Sequence, residues 1–496
     1  MRRAWVTLSS VAHGVTFPVG PDGARSTTAT GRAIVADALR GVDPVGARAA
    51  EQETAWRSRY LLHFRRLVEA GVATPDAWLS IAESGLEAVH SRMRVVTGAG
   101  EERPLLSLLE AHGDRALQTV EVRGSGAPAA ELTLPFHGQR LRGDALTEQL
   151  DDWTRRGVLE PSAADAVMEV AVHPEWLALP GHTVAVLGAG AEMGPLPALL
   201  RWGATVAAVD LPVRTVWERV LRSAEDGAGR LLVPVDASSA SRDLRDRAGV
   251  DLLAEVPSLA DWLGGLDGRL VLGNYLYADG GTHVRLSAAA DVLGTRLAAA
   301  RPDTALAFLA TPTDTFVVPR EAVEHSNRAY AERAATAKYL GRPMRWATRG
   351  RLLHRAYPPD AGPSIGDSLV AGQGPNYALA QRIQRWRAAV ARRDGQTVSL
   401  HVAPSTRTRS VVKNRALAAA FAGAHRFGIE IFEPATANVL MAALLVHDLM
   451  AGVPASDHPW QDEAYAAVHG GLWRTPYEPR SALGLAALLG YAGSRS

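Results

Sequence analysis

The sequence predicts an α/β fold: a doubly wound parallel sheet with helical N-terminal and C-terminal regions. From about residue 181, short apolar runs rich in β-branched residues alternate with stretches of helical periodicity, which is typical of a parallel sheet. A glycine-containing turn follows the first run, and an aspartate ends the second. The 496 residues suffice for two or three hydrophobic cores.

Five strand–helix units in succession form the predicted sheet, and a sixth strand follows later in the chain. The predicted strands are Thr183–Leu187, Thr205–Val209, Leu231–Val235, Leu270–Gly273, Ala305–Leu309 and Thr397–Val402. The predicted helices that accompany them are Leu196–Arg201, Thr215–Ala224, Leu253–Leu263, Ala288–Ala300, Glu321–Leu340 and Tyr377–Arg393. One more strand is predicted within Met344–Arg355.

Three regions follow from these signals. They are a mainly helical N-terminal domain (1–175), a domain containing the sheet (176–412) and a helical C-terminal region (413–496). In the first region, Thr74-Pro75-Asp76 predicts a helix start, because it combines a capping side chain, a proline at the first helical position and an acidic first turn. A strand at Glu131–Phe136 and a helix at Ala145–Arg156 are also predicted there.

The composition excludes several classes of protein. Hydrophobic residues make up 47% and charged residues 21%, so a packed fold is expected. The net charge of +1 provides no global field for nucleic acid. No cysteine and no H-E-x-x-H motif occurs, so no metal site is expected. The longest apolar run, Val439–Val446, is far short of the roughly 20 residues of a membrane span. We therefore expect a cytoplasmic protein that binds a small-molecule substrate and can form a homo-oligomer.

The strongest functional signal is the glycine turn that follows the first predicted strand. It reads Gly188-Ala189-Gly190-Ala191-Glu192-Met193-Gly194, and Asp210 ends the next strand. Glycines are needed where the backbone approaches a diphosphate, and a carboxylate at this spacing can accept hydrogen bonds from ribose hydroxyls. The pattern predicts dinucleotide binding by Gly188, Gly190, Met193, Gly194 and Asp210. The spacing differs from G-x-G-x-x-G, because Met193 holds the third glycine position.

At this turn the sequence resembles the short-chain dehydrogenase/reductase superfamily, whose turn has glycine at its first, fifth and seventh positions. Gly188 and Gly194 match the first and seventh, whereas Glu192 occupies the fifth. The resemblance spans about residues 181–410 and implies a Rossmann-like domain that binds NAD or NADP. It also implies that Asp236 and Asn274, which end the third and fourth strands, lie near the cofactor.

The choice between the two cofactors depends on charge near the ribose. Asp210 favours NAD because a carboxylate would repel a 2′-phosphate, whereas Arg214 is the nearby residue that would accommodate that phosphate. We expect NAD to be preferred.

The resemblance implies a catalytic Tyr-x-x-x-Lys pair, which this sequence lacks. Its only lysines are Lys338 and Lys413, and neither has a tyrosine four residues before it. Two tyrosines remain candidates for the catalytic acid. Tyr330 precedes Arg333 by three residues, and Tyr377 precedes Gln381, which stands where the family has lysine. With either one, Asn274 and Thr311 or Thr313 are the residues expected to line the reacting pocket.

These observations predict a divergent NAD(P)-dependent oxidoreductase that acts on a small carbonyl, alcohol or enoyl compound. Two alternatives stay open. The strand–glycine–acid pattern and Asn274-Tyr275 also resemble an adenosylmethionine-dependent methyltransferase, and the missing lysine suits a non-catalytic nucleotide sensor or scaffold. No G-x-S-x-G motif or Walker-type loop supports a hydrolase or kinase.

Overall fold

A computed structural model describes residues 13–238, 241–333, 352–413 and 415–493. Its strands are β1 (Gly14–Thr16), β2 (Arg94–Val96), β3 (Glu102–Pro104), β4 (Leu117–Arg123), β5 (Leu134–Phe136), β6 (Gln139–Leu141), β7 (His182–Leu187), β8 (Thr205–Val209), β9 (Arg230–Asp236), β10 (Arg269–Asn274), β11 (Ala305–Ala310), β12 (Thr315–Val318), β13 (Ser364–Asp367) and β14 (Val398–Val402).

The described residues also form α-helices. They are α1 (Thr27–Arg40), α2 (Pro44–Glu51), α3 (Trp56–Gly71), α4 (Pro75–Arg92), α5 (Gly143–Arg156), α6 (Pro161–Val172), α7 (Leu196–Trp202), α8 (Arg214–Glu225), α9 (Leu244–Arg247), α10 (Val256–Gly264), α11 (Gly281–Ala300), α12 (Arg320–Glu332), α13 (Pro375–Arg393), α14 (Arg409–Lys413), α15 (Arg415–Ala424), α16 (Pro434–Met450), α17 (Pro459–Ala464) and α18 (Pro479–Gly493). Among the described residues, no helix has the length and hydropathy needed to cross a bilayer.

A seven-stranded sheet forms the centre of the molecule, in the order β14-β11-β10-β7-β8-β9-β4. Strands β7 to β11 and β14 pair in parallel, and β4 pairs antiparallel with β9 at the edge. If β7 is counted as the first parallel strand, the order is 3-2-1-4-5-6, the doubly wound arrangement of the Rossmann fold. The predicted α/β, Rossmann-like fold class is confirmed.

The six predicted strands of the parallel sheet are confirmed to within one residue at each end. Two helices differ more: α10 begins three residues later than predicted, and α11 begins seven residues earlier, at Gly281. Thr74 caps α4 as predicted, because its hydroxyl accepts a hydrogen bond from the Ala77 N–H at 3.1 Å. Most of the strand predicted within Met344–Arg355, and the end of the helix predicted over Glu321–Leu340, lie outside the described residues.

Both faces of the sheet are buried, because successive side chains of each strand point to opposite sides. On β7, Val184 and Val186 face one core, and Ala185 and Leu187 face the other. Helices α1, α3 and α4 share the second core with α10, α11 and α13, while α5 to α8 and α16 share the first. The two cores together thus include helices from all three predicted regions. The boundaries between those regions stay a prediction.

A fully buried ion network fixes α13 beside the sheet. Arg385 donates to Asp314 at 2.8 Å and also pairs with Glu463, and Arg382 donates to Asp314 at 3.3 Å. We call these four residues the Arg385 cluster. A buried charge requires such partners, because an isolated one would lose its hydration without compensation.

A second buried cluster joins α6 to the C-terminal region. Arg474 donates to both carboxylate oxygens of Glu160, at 2.9 and 2.5 Å. The Nδ1 of His469 accepts from the Gly471 N–H, so its Nε2–H donates to Glu160 at 2.9 Å and the ring is neutral. Burial alone would raise the pKa of Glu160, but these partners outweigh it and lower that pKa to about 2.

Candidate functional site

The glycine turn joins β7 to α7 and is fastened to the end of β8. The Gly188 and Ala189 N–H groups both donate to the Val209 carbonyl, at 2.9 and 3.1 Å. Gly188 has a φ of +82°, and a Cβ placed there would lie 3.0 Å from the Tyr275 carbonyl oxygen. Only glycine adopts this φ and tolerates this close contact without strain, which explains why the first motif position is a glycine.

Asp210 lies directly against this turn. Its carboxylate accepts hydrogen bonds from the Gly190 N–H and from the Leu211 N–H, both at 2.8 Å. Burial raises the pKa of Asp210, and these two hydrogen bonds lower it in part. An ionised carboxylate has about four acceptor positions, so Asp210 keeps capacity for ribose hydroxyls. The predicted role of Asp210, binding of ribose hydroxyls, stays a prediction.

The second half of the turn is held by contacts from distant parts of the chain. The Asn438 amide on α16 donates to the Gly194 carbonyl, and Met193 packs against the neighbouring apolar core. The Glu192 carboxylate pairs with Arg409 Nε at 2.8 Å and accepts from the Arg409 N–H at 2.9 Å. The Glu192 carboxylate is therefore paired with a cation.

Asp236 and Asn274 occupy the ends of β9 and β10. Asp236 accepts from both the N–H and the hydroxyl of Ser238 and pairs with Arg115 at 2.9 Å. Asn274 is buried, and its Oδ1 accepts from the Leu276 N–H at 3.3 Å. Both lie at the carboxyl edge of the sheet, where ligands of open α/β sheets bind.

Tyr377 and the two predicted threonines meet at the end of β11. A hydrogen bond links the side chains of Thr311 and Tyr377, and the Thr311 and Thr313 hydroxyls lie 2.9 Å apart. Gln381, one turn after Tyr377 on α13, accepts from the Thr311 N–H at 3.2 Å. Burial raises the pKa of Tyr377 to about 12, although the Thr311 hydrogen bond lowers it in part.

Two aromatic residues of this site escaped the sequence analysis. Tyr277 follows β10 and is 57% exposed, and its ring centroid lies 6.2 Å from that of Tyr377. His283, in the first turn of α11, lies 5.5 Å from the Tyr377 ring. Burial lowers the pKa of His283 to about 4, so it is neutral at physiological pH. Neither residue belongs to a spacing motif, and only the early start of α11 brings His283 to the strand ends.

Tyr330 lies elsewhere, on α12. Its ring packs edge-on against Tyr477 and beneath the Arg333 guanidinium, 3.6 Å from the ring centroid. These contacts join it to a small apolar cluster with Leu353 and Phe427. The structure thus places Tyr377, and not Tyr330, beside Thr311. Of the two lysines, Lys338 lies outside the described residues.

Comparisons with known proteins yield structural likeness only. No protein-family model matches the sequence, and no curated protein matches it. A terminal R domain from the myxalamid PKS-NRPS biosynthetic pathway is similar at 15% identity and a TM-score of 0.29, covering 51% of this chain and 59% of that one. A thiolation-reductase di-domain from an archaeal non-ribosomal peptide synthetase is similar at 9% identity and 0.27, covering 53% and 66%.

A third solved structure is the reductase domain of the Aureusimine biosynthetic cluster, with 9% identity and a TM-score of 0.25, covering 50% of this chain and 57% of that one. In each comparison the matched part spans less than two thirds of the other chain. At these scores the fold assignment rests on the strand order of this chain itself.

Proposed function

We propose that this protein binds a nicotinamide dinucleotide at the Gly188–Gly194 turn and reduces a small-molecule carbonyl compound at the ends of β10 and β11. The observation that carries the proposal is the position of Asp210: its carboxylate is held against the Gly190 N–H at 2.8 Å and keeps free acceptor positions. A carboxylate fixed beside a glycine turn at the strand ends suits the ribose of a dinucleotide.

NAD is the proposed cofactor, because the cation that would favour NADP is already engaged. Arg214 pairs with Asp246 at 2.6 Å, with Asp243 at 2.9 Å and with Glu218 at 3.1 Å. A 2′-phosphate would have to displace these carboxylates and approach Asp210, so charge repulsion disfavours it.

Gly188, Gly190 and Asp210 would hold the cofactor, and the dinucleotide, when bound, supplies a hydride to the carbonyl carbon. Tyr377 donates its phenolic proton to the carbonyl oxygen, and Thr311 orients the phenol through their hydrogen bond. With a pKa of about 12, only about one phenol in 10⁵ is ionised at pH 7. The phenol is therefore in the protonated form that carbonyl reduction needs from a proton donor.

Ligand titration tests the proposal. Purified protein is titrated with NADH, NADPH and adenosylmethionine, and each dissociation constant is measured for the wild type, for Asp210→Ala and for the control Asp226→Ala. Asp226 is an exposed carboxylate at the end of α8. We expect NADH to bind most tightly, Asp210→Ala to weaken it at least tenfold, and Asp226→Ala to leave it unchanged.

Two results would contradict the proposal. If adenosylmethionine binds and NADH does not, the same turn and carboxylate serve methyl transfer. If none of the three ligands binds, the oxidoreductase function is refuted, and the result supports the non-catalytic alternatives instead.

A further inference from the structure

The backbone of the glycine turn has few N–H groups left for an anion. Gly188 and Ala189 donate to Val209, Gly190 donates to Asp210, and the Ala191 and Gly194 N–H groups donate to carbonyls within the turn. Helix α7 begins only at Leu196 and is seven residues long, so its dipole adds little. A diphosphate at this turn therefore needs positive charge from side chains.

Arg409 is placed to supply that charge. It begins α14, shortly after β14 ends, and its guanidinium reaches Glu192 at the fifth position of the turn. The pair is open to solvent, because the Arg409 side chain is 71% exposed and that of Glu192 is 30% exposed. An exposed ion pair contributes little free energy, so an anionic ligand can replace Glu192 as the partner of Arg409 with only a small energetic penalty.

We propose that Arg409 binds the cofactor diphosphate and that the Glu192 carboxylate occupies Arg409 in the free protein. This inference rests on the proposed function, since it names the cation that the dinucleotide site uses. A guanidinium is suited to the task, because its donor fork matches both carboxylate and phosphate oxygens. The Glu192 carboxylate, whose negative charge would repel a diphosphate, is then a competing anion that the ligand displaces.

Arg219 is another cation near the turn, but it lies next to a different part of the site. Its guanidinium reaches the Gly190 carbonyl at 3.4 Å and lies close enough to Asp210 to lower that residue's pKa. The charge of Arg219 is thus offset by Asp210 at the ribose end. Arg409 is paired with Glu192 instead, within the turn itself.

The test measures dissociation constants for two ligands that differ in the diphosphate. ADP-ribose carries it and adenosine does not. The variants are Arg409→Ala, Arg409→Lys, Glu192→Gln and the control Arg407→Ala, which removes the same charge from the same segment. Arg407 lies 3.8 Å from Glu433 and does not contact the turn. Gln at 192 keeps an oxygen for the Arg409 N–H, so that variant changes charge alone.

We expect Arg409→Ala to weaken ADP-ribose about tenfold and adenosine less than twofold, with partial recovery in Arg409→Lys. Glu192→Gln should tighten ADP-ribose about threefold to fivefold, because the competing carboxylate is gone. Arg407→Ala should match the wild type for both ligands.

The inference is overturned if Arg409→Ala binds ADP-ribose as the control does, if it weakens adenosine equally, or if Glu192→Gln weakens ADP-ribose. Failure of the proposed function looks different, because the wild type itself would then bind neither NADH nor ADP-ribose. Thermal unfolding midpoints of the four variants show whether each is folded, and Glu192→Gln tests the proposal by a gain that misfolding cannot produce.

Discussion

The two outer glycines of the turn should respond differently to the same substitution. Gly188 has a φ of +82°, and an added Cβ would lie 3.0 Å from the Tyr275 carbonyl oxygen. Gly194 has ordinary surroundings, since its added Cβ would lie 3.6 Å from the nearest atom, the Ala191 carbonyl oxygen. Alanine should therefore be costly at the first position and tolerated at the second.

The cost at Gly188 has two parts. A left-handed conformation costs an L-residue roughly 1–2 kcal/mol, and the close backbone contact forces a further shift of the β10 loop. We expect Gly188→Ala to lower the free energy of unfolding by about 2 kcal/mol or more. Gly194→Ala should change it by less than about 1 kcal/mol, and a small gain is expected because alanine restricts the unfolded chain.

Urea unfolding followed by tryptophan fluorescence measures both effects as shifts in midpoint at a common slope. Gly194→Ala is the matched control, because it makes the same chemical change six residues away. If both variants unfold at the wild-type midpoint, Gly188 is not in the left-handed region. If Gly194→Ala is destabilised as much as Gly188→Ala, the packing around the turn differs from that described.

Three further predictions concern catalysis, the core and pH. Tyr377→Phe should lower turnover by about 10²- to 10⁴-fold while NADH still binds, and Tyr330→Phe should not; equal effects in steady-state assays would contradict the assignment. Arg385→Ala should lower the free energy of unfolding by about 3–5 kcal/mol, because it leaves buried carboxylates without a partner. The control Arg40→Ala, at an exposed arginine, should lower it by less than about 1 kcal/mol, and urea midpoints measure both effects. The pKa of Glu160 is lowered to about 2 in the folded protein. The ionised Glu160 therefore adds up to about 3 kcal/mol to the free energy of unfolding above about pH 4.5, and this stabilisation is lost as the pH falls toward 2. Glu160→Gln should flatten this acid dependence, and an unchanged slope would exclude Glu160 as its source.

The sheet was predictable from sequence because its strands are buried on both faces. Such strands read as continuous apolar runs, and the one at Thr205–Val209 matches its prediction at both ends. The edge strand β4 was not predicted, because it is not buried on both faces. Its residues are exposed or half-buried along the whole strand, so Leu117–Arg123 carries no apolar run to mark it.

The site was only partly predictable, because local sequence cannot decide which helix packs over the strand ends. Tyr330 and Tyr377 both lie on helices after β11, and each has a polar residue about one turn later. Tertiary packing separates them: α13 carries Tyr377 to Thr311, while Tyr330 joins an apolar cluster with Tyr477. His283 and Tyr277 gave no signal, because single aromatic residues after a strand are common.

The electrostatics of this core favour a glutamine over a lysine at position 381. Gln381 is buried and uses its amide oxygen to hold the Thr311 N–H. Its neighbours Arg382 and Arg385 are buried cations whose carboxylate partners, in the Arg385 cluster, are already engaged. A lysine at position 381 would add a further buried cation next to carboxylates that already pair with Arg382 and Arg385, at a cost of several kcal/mol. A neutral side chain is therefore favoured here. Among the described residues no cation is a cause of the Tyr377 pKa shift, so burial keeps the phenol protonated, the form that the proposed proton donation needs.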